Sequence, residues 1–387
     1  MPCPPSSILR SWKTIACWCF FLAAARAATP SDIDSHEVNK DQSITFRYYG
    51  PGVTKVTVSL DYSHHPVPML PGPGGIWSLQ TQPLASGLHM YSMAVDGMAI
   101  NDPLNPVTEH NLVYVGNETW VNGPTPELWD NEAVPHGVVH HHQYRSELIS
   151  GLADSNEDYY VYTPPGYDTS SDRRYPVLYL LHGWGSLADS WVHEGQANLI
   201  LDNLFAQGKV RPMVLVMPQG YGEMSFVRSG LKVWTDETKI SSNLNAFEMA
   251  LLQEILPQVQ SGYQVSRNRA DRAIAGLSMG GGESVVIGLR HPDLFAWIGG
   301  FSSAVAYQNF NAPLPHLDRQ TGDSLQLLWL SCGTSDELIT AQRRLAAWLA
   351  ANRIQAKTVE QPGIHNWPVW RDSLIHFVPL LFRGAKG

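Results

Sequence analysis

Cysteine is nearly absent where it would matter. The 387-residue chain has 4 Cys, and Cys3, Cys17 and Cys19 all precede residue 20. Beyond that segment only Cys332 remains, so an intramolecular disulfide there is excluded. Clusters of positive charge are absent as well: 26 Lys and Arg stand against 35 Asp and Glu, a formal charge of −9, with no basic run. A phosphate-binding face for nucleic acid or anionic lipid therefore has no support, and a neutral or small substrate is expected. Long apolar runs are missing too. The stretch Thr14 to Ala25 offers about 12 apolar residues against the ~20 that span a bilayer. No internal repeat or low-complexity tract occurs. What is present is a composition of 44% hydrophobic and 16% charged residues with 32 Gly, 27 Pro and 13 Trp. That excludes disorder, collagen and a simple coiled coil, and the length allows two domains.

The N-terminus reads as a separate object. Arg10 and Lys13 precede the apolar stretch, which ends at Ala25-Arg26-Ala27, the small-x-small pattern of a secretory cleavage site. Residues 1–27 are expected to be a signal peptide, which makes the protein secreted or periplasmic, with no membrane attachment after removal. Loss of Arg10, Lys13 and Arg26 would take the charge from −9 to −12.

Residues 28–120 are expected to be a β-sandwich, and from about His36 to Asn101 the pattern has period two. Ser43 to Tyr49 and Lys55 to Leu60 alternate about the turn Gly50-Pro51-Gly52, which predicts a hairpin. Gly74 to Leu79 and Gly87 to Val95 continue the spacing of a β-sandwich. Trp77 and Tyr91 suit its core better than its surface. Residues 121–146 read as a linker, opened by Asn122-Gly123-Pro124-Thr125-Pro126. His140-His141-His142 within it would alternate sides on an extended chain, which argues against a shared metal. Asn117-Glu118-Thr119 matches a glycosylation sequon.

From 147 to 387 the rhythm becomes strand, helix, strand. Tyr175 to Leu181, Met213 to Met217, Arg272 to Ala275 and Gln326 to Leu330 are short apolar runs of the kind buried in parallel sheets. Ser190 to Gln207, Asn245 to Tyr263 and Asp336 to Ala351 carry helical periodicity between them, so a doubly wound α/β domain is expected behind the all-β sandwich.

Gly276-Leu277-Ser278-Met279-Gly280 follows one such strand and opens a helical segment, the context of a nucleophile elbow. Ser278 is the candidate nucleophile. In α/β-hydrolases an acid and then a histidine follow the serine. Asp336, at the end of the Gln326 to Leu330 strand, and His365, in the loop after a last strand Thr358-Val359-Glu360, fill those places. His182 and His291 are the rival bases, disfavoured by chain order. The Met279 N–H is one candidate oxyanion donor, and Trp184 N–H in Leu181-His182-Gly183-Trp184-Gly185 is the other.

These motifs carry a resemblance. With Tyr162-Thr163-Pro164-Pro165-Gly166-Tyr167, Val216-Met217-Pro218 and Trp370-Arg371, the last 230 or so residues resemble the esterase D superfamily, and more narrowly the family 1 carbohydrate esterases that include feruloyl and acetylxylan esterases. The resemblance implies an α/β-hydrolase fold, the triad Ser278, Asp336 and His365, and ester hydrolysis with neither metal nor cofactor. Phe46 to Pro51, Gly75-Ile76-Trp77 and Val95-Asp96-Gly97 with Asp102 to Pro106 resemble the early-set, immunoglobulin-like domains, related to carbohydrate-binding family 48, that precede some glycan-active enzymes and enterochelin esterases.

The expected substrate is a small or polysaccharide-linked ester, with feruloyl esters first. Trp184, Trp191, Phe226, Trp234 and Trp367 lie on or near the loops that would surround Ser278, and of these Trp367, Trp184 and Trp234 are the candidate substrate contacts. A carbohydrate contact through the sandwich is a further expectation. The alternatives are a siderophore trilactone esterase of the enterochelin type, an acetylxylan esterase, an acyltransferase of the mycolyltransferase kind and a non-catalytic glycan binder.

Overall fold

The computed structural model describes residues 33–383 except Tyr62, His64, Val115, Ser171 and His316. The expected signal, 1–27, lies outside the described residues. No helix among the described residues is long and apolar enough to cross a membrane.

The N-terminal part is a sandwich of two antiparallel sheets. One orders His36–Val38, Ile44–Tyr49, Ile76–Gln80 and Leu70–Pro71; the other orders Val67–Pro68, Val56–Leu60, Gly87–Val95 and Met98–Ile100, with Asn117–Val121 also paired to Gly87–Val95. The expected hairpin is corrected here. Ile44–Tyr49 and Val56–Leu60 lie in opposite sheets, because Gly50-Pro51-Gly52 carries the chain across the core instead of folding it back. Ile44, Phe46, Val56 and Val58, all 0% exposed, then face one another between the sheets. Tyr91 is buried and Trp77 packs partly buried against the same core, as their residue type suggested. Asn117 of the sequon is fully buried, its amide donating to the carbonyls of Asn105 and Val107, so the folded chain hides it from a glycosyl transfer.

The second part is built on an eight-stranded sheet: β1 (Val138–Arg145), β2 (Asn156–Thr163), β3 (Val177–Leu181), β4 (Val214–Pro218), β5 (Arg272–Leu277), β6 (Trp297–Phe301), β7 (Leu327–Gly333) and β8 (Lys357–Gln361). Their spatial order is β1-β2-β4-β3-β5-β6-β7-β8. The first two pairings are antiparallel and the rest parallel. The stretch expected as a linker thus contains an edge strand, β1. Period two does place His140 and His142 on one side, their rings 6.5 Å apart, while His141 stacks on Tyr160 at 4.4 Å.

Alternate residues of the central strands feed two cores. Tyr179, Leu181, Val216 and Ile274 pack with helices α2 (Glu237–Ala250), α3 (Ser278–Arg290) and α4 (Ile339–Ala351). Leu178, Leu180, Ala273 and Ala275 pack on the opposite face with α1 (Ala197–Ala206) and α5 (Trp367–Phe377). Helices on both faces of a mostly parallel sheet bring the loops that follow the strands to one edge, where sites of such folds form.

Candidate active site

The turn from β5 into α3 is the tightest feature of that edge. Ser278 has φ of 50°, a left-handed backbone that a side chain seldom adopts. Its neighbours show why glycine is required. A Cβ on Gly276 would fall 2.6 Å from the Gly280 backbone, and one on Gly280 would fall 2.4 Å from the His182 carbonyl oxygen. The strand-to-helix crossing therefore holds the serine in a strained, projecting position.

The two other loops converge on it. Asp336 sits just past the end of β7, its carboxylate wholly buried, and accepts from the Leu338 N–H at 2.8 Å. His365 stands in the loop after β8. Its Nδ1 lies 2.9 Å from Asp336 Oδ2 and 3.1 Å from Oδ1, and its Nε2 lies 2.9 Å from Ser278 Oγ. Acceptance by the carboxylate places the imidazole proton on Nδ1, which leaves Nε2 free to accept from the serine hydroxyl. Burial by itself would raise the Asp336 pKa, but the His365 hydrogen bond and charge outweigh it and hold the carboxyl below the ordinary range. Asp336, Glu337 and His365 also bring three potential ligand atoms within 4.8 Å of one another, yet Asp336 and both ring nitrogens of His365 already serve the row to Ser278.

The rivals are placed elsewhere. His291 pairs with Glu248 at 2.6 Å, at the far end of α3. His182 is a fully buried neighbour with a positioning geometry. Its Nε2 accepts from the Gly220 N–H at 2.8 Å, so its proton is on Nδ1, which donates to the Gly183 carbonyl at 2.7 Å. Burial pushes its pKa down to about 4, so the ring is neutral. Because a trans peptide sets C=O and N–H in opposite directions, fixing the Gly183 oxygen toward His182 turns the Trp184 N–H the other way. A Cβ on Gly183 would lie 3.3 Å from Ser278 Cβ, which brings this peptide beside the serine. The Met279 N–H, in the first turn of α3, is one of the donors that a helix leaves unpaired.

A narrow slot runs from Met279 past Phe226, Trp234, Leu244, Glu283 and Tyr307. Trp234 lines it, standing edge-on to Phe226 at 5.2 Å. Trp184 is half-buried and is not among the residues that line the slot. Trp367 is corrected: it is 6% exposed, wedged edge-on against Trp191 and Trp370 at 5.3 Å each, in the core on the other face of the sheet. Adjacency to His365 in sequence suggested the contact, but as the first residue of α5 its side chain turns inward with the apolar face of that helix. Trp191 is likewise fully buried, its indole N–H donating to the Leu181 carbonyl.

Two groups at the site escaped the sequence. Tyr114, within the sandwich, stands edge-on to Trp184 at 6.3 Å and is 48% exposed. Its loop is tied to the Gly183 to Ser186 turn, with the Leu112 N–H donating to the Gly185 carbonyl at 2.7 Å and Asn111 bridging to Ser186. Nothing local marks it, since the approach is between distant segments. Glu283 did carry a signal, a lone acid among the small and apolar residues of α3.

An all-parallel core with a serine elbow and a buried acid–histidine pair defines an α/β-hydrolase-like protein. Residues 152–381 match the family described as "Putative esterase", and the chain belongs to that family. It is 29% identical over 359 residues to an endo-1,4-beta-xylanase/feruloyl esterase of Xylanibacter ruminicola, which covers 89% of this chain; the chain spans about half, 46%, of that relative. Among solved structures it resembles a family 1 ferulic acid esterase of Anaeromyces mucronatus, with TM-score 0.56 at 22% identity over 68% of this chain and 97% of the other. It also resembles the enterobactin esterase of Shigella flexneri, with TM-score 0.64 at 18% identity over 87% of this chain and 92% of the other.

Proposed function

We propose that the chain is an exported serine carboxylic ester hydrolase, with 1–27 as its leader, that releases hydroxycinnamic acids such as ferulate from plant cell-wall polysaccharide through an acyl-enzyme. The observation that carries this is the hydrogen-bonded row from Ser278 through His365 to Asp336, opening beside an aromatic slot. His365 Nε2 takes the Ser278 proton as Oγ attacks the ester carbonyl, and Asp336 holds the imidazole and stabilises its charged form. The Met279 and Trp184 N–H groups receive the oxyanion. His365 returns the proton to the departing alcohol, and water activated by the same ring then releases the acid and restores Ser278.

The acyl side takes the slot between Met279 and Trp234. The alcohol side faces the mouth, where exposed Tyr114 beside Trp184 suits contact with a sugar. The feruloyl esterase and the ferulic acid esterase among its relatives favour the hydroxycinnamate. The two-domain overlay with the enterobactin esterase keeps a trilactone esterase as the second reading. An anionic substrate suits this site less well, because Asp336 and Glu337 stand beside His365.

The test is ferulate release from methyl ferulate by the purified protein, followed by ultraviolet absorbance, with Ser278→Ala alongside. Turnover abolished in the variant supports the proposal. A protein that a fluorophosphonate labels at Ser278 but that leaves methyl ferulate intact rejects the substrate and turns the search to acetylated xylan and siderophore lactones.

A further inference from the structure

Glu283 is a costly residue for its place. It is 4% exposed, its Oε1 receives only a long 3.4 Å contact from Asn243 Nδ2, and its Oε2 has no hydrogen-bond partner among the described residues. It is the one carboxyl among the residues lining the slot. Two other polar side chains of the lining have partners: Asn243 Oδ1 accepts from the Gly222 and Glu223 N–H groups, and the Tyr307 hydroxyl accepts from Ser241. Leucine or methionine would fill the same space without leaving a polar atom unsatisfied.

The helix sets Glu283 beside Met279 along the slot. Met279, Glu283 and Val286, spaced by four and three, share one face of α3, and that face is a wall of the slot. Opposite, a Cβ on Gly282 would fall 2.6 Å from the Ala304 carbonyl oxygen, so helix and loop approach closely and the slot is narrow. At Gly220 an added Cβ would be 3.4 Å from Glu283 Oε2 and 3.5 Å from the end of the Met279 side chain, so carboxyl and thioether meet at one wall. Met279 follows the serine directly, whereas Glu283, five residues on from Ser278, lies about 7.5 Å from it along the helix axis at 1.5 Å per residue. A planar acyl group that starts at Ser278 and passes Met279 and Trp234 reaches Glu283 with its far end.

We propose that Glu283 is the anchor of the acyl slot, exchanging hydrogen bonds with the ring hydroxyl of a phenolic arylpropenoyl group. This rests on the hydroxycinnamate esterase reading and deepens it, because it names the residue that separates phenolic acyl groups from unsubstituted ones. Burial holds the Glu283 pKa well above the ordinary carboxylate range. A carboxyl that keeps its proton has one O–H to donate and a carbonyl oxygen to accept, which complements a neutral phenol.

The test compares kcat/KM for methyl ferulate and methyl cinnamate, which lacks the ring hydroxyl, in the wild type, Glu283→Gln and Glu283→Leu. The wild type is expected to prefer ferulate about tenfold or more. Glu283→Leu should lower that ratio about tenfold, and Glu283→Gln, which keeps a donor and an acceptor, should stay within about threefold of the wild type. A leucine variant that a fluorophosphonate still labels but whose ratio is unmoved overturns the proposal. So does a wild type that hydrolyses both esters without preference, whatever the variants do, and in that case the esterase reading survives. A wild type inert toward both overturns the hydroxycinnamate reading and the anchor together.

Discussion

Replacing His182 by leucine tests how the oxyanion site is held. Both ring nitrogens are committed, Nδ1 to the Gly183 carbonyl at 2.7 Å and Nε2 to the Gly220 N–H at 2.8 Å, and the side chain is buried. Leucine satisfies neither backbone group, and two buried orphans at about 1–3 kcal/mol each should cost about 2–6 kcal/mol of stability. The Gly183–Trp184 peptide loses its tether as well. If its N–H meets the oxyanion only when the carbonyl is pinned, kcat should fall by about 10²–10³ with KM little changed. Stability should also change its response to acid. The ring's pKa falls from an ordinary 6.5 to about 4 on folding, so the unfolded chain takes up the proton first. Wild-type stability is complete above pH 6.5 and is lost as pH falls toward 4, by up to about 3 kcal/mol; the leucine variant should lack that loss. Steady-state hydrolysis of methyl ferulate at pH 7 and thermal unfolding between pH 4 and 8 read both effects. A variant that is less stable but retains kcat within twofold would refute the positioning role and leave His182 a packing residue.

Three other outcomes are expected. Gly280→Ala, whose Cβ would meet the His182 carbonyl at 2.4 Å, should lower stability by about 1–3 kcal/mol and kcat with it, measured by denaturant unfolding and turnover. Glu109 of the sandwich is raised from 4.5 to about 7, first by burial and then by Glu118. Its native form keeps a proton that the unfolded chain has shed, so stability falls as pH rises from 4.5 to 7; Glu109→Gln should match the wild type at pH 4 and exceed it at pH 8 by up to about 3 kcal/mol in calorimetry. Tyr114→Ala should raise KM about two- to tenfold for a feruloylated oligosaccharide, and less for methyl ferulate, if the ring stacks on sugar at the mouth.

The legible parts of the chain were those written in short, local patterns. β3, β4, β5 and β7 are apolar runs buried on both faces, and such runs declare themselves without any partner. β6 did not, because Gly299 and Gly300 interrupt the apolar run from Trp297 to Phe301. Glycine is there for packing: a Cβ on Gly299 would fall 2.8 Å from the Phe377 ring, and one on Gly300 would fall 2.3 Å from Ser303 Oγ. β1 was hidden by its polarity, His140 to Arg145 being an edge strand with partly exposed faces. The hairpin error has the same root, since a turn sequence says that the chain reverses but not which sheet receives the next strand.

By itself, then, the sequence determined the elbow at Ser278, the order Ser278, Asp336, His365, the α/β rhythm and the sandwich ahead of it, because steric demands of a tight turn and periodic burial are local properties. Only the tertiary structure decided that Trp367 belongs to the core, that His182 holds a peptide, that Tyr114 reaches Trp184 and that Glu283 lines the slot with its Oε2 unpaired among the described residues. Each of those depends on which distant surfaces meet and on how much water they exclude, and both are settled when the layers pack.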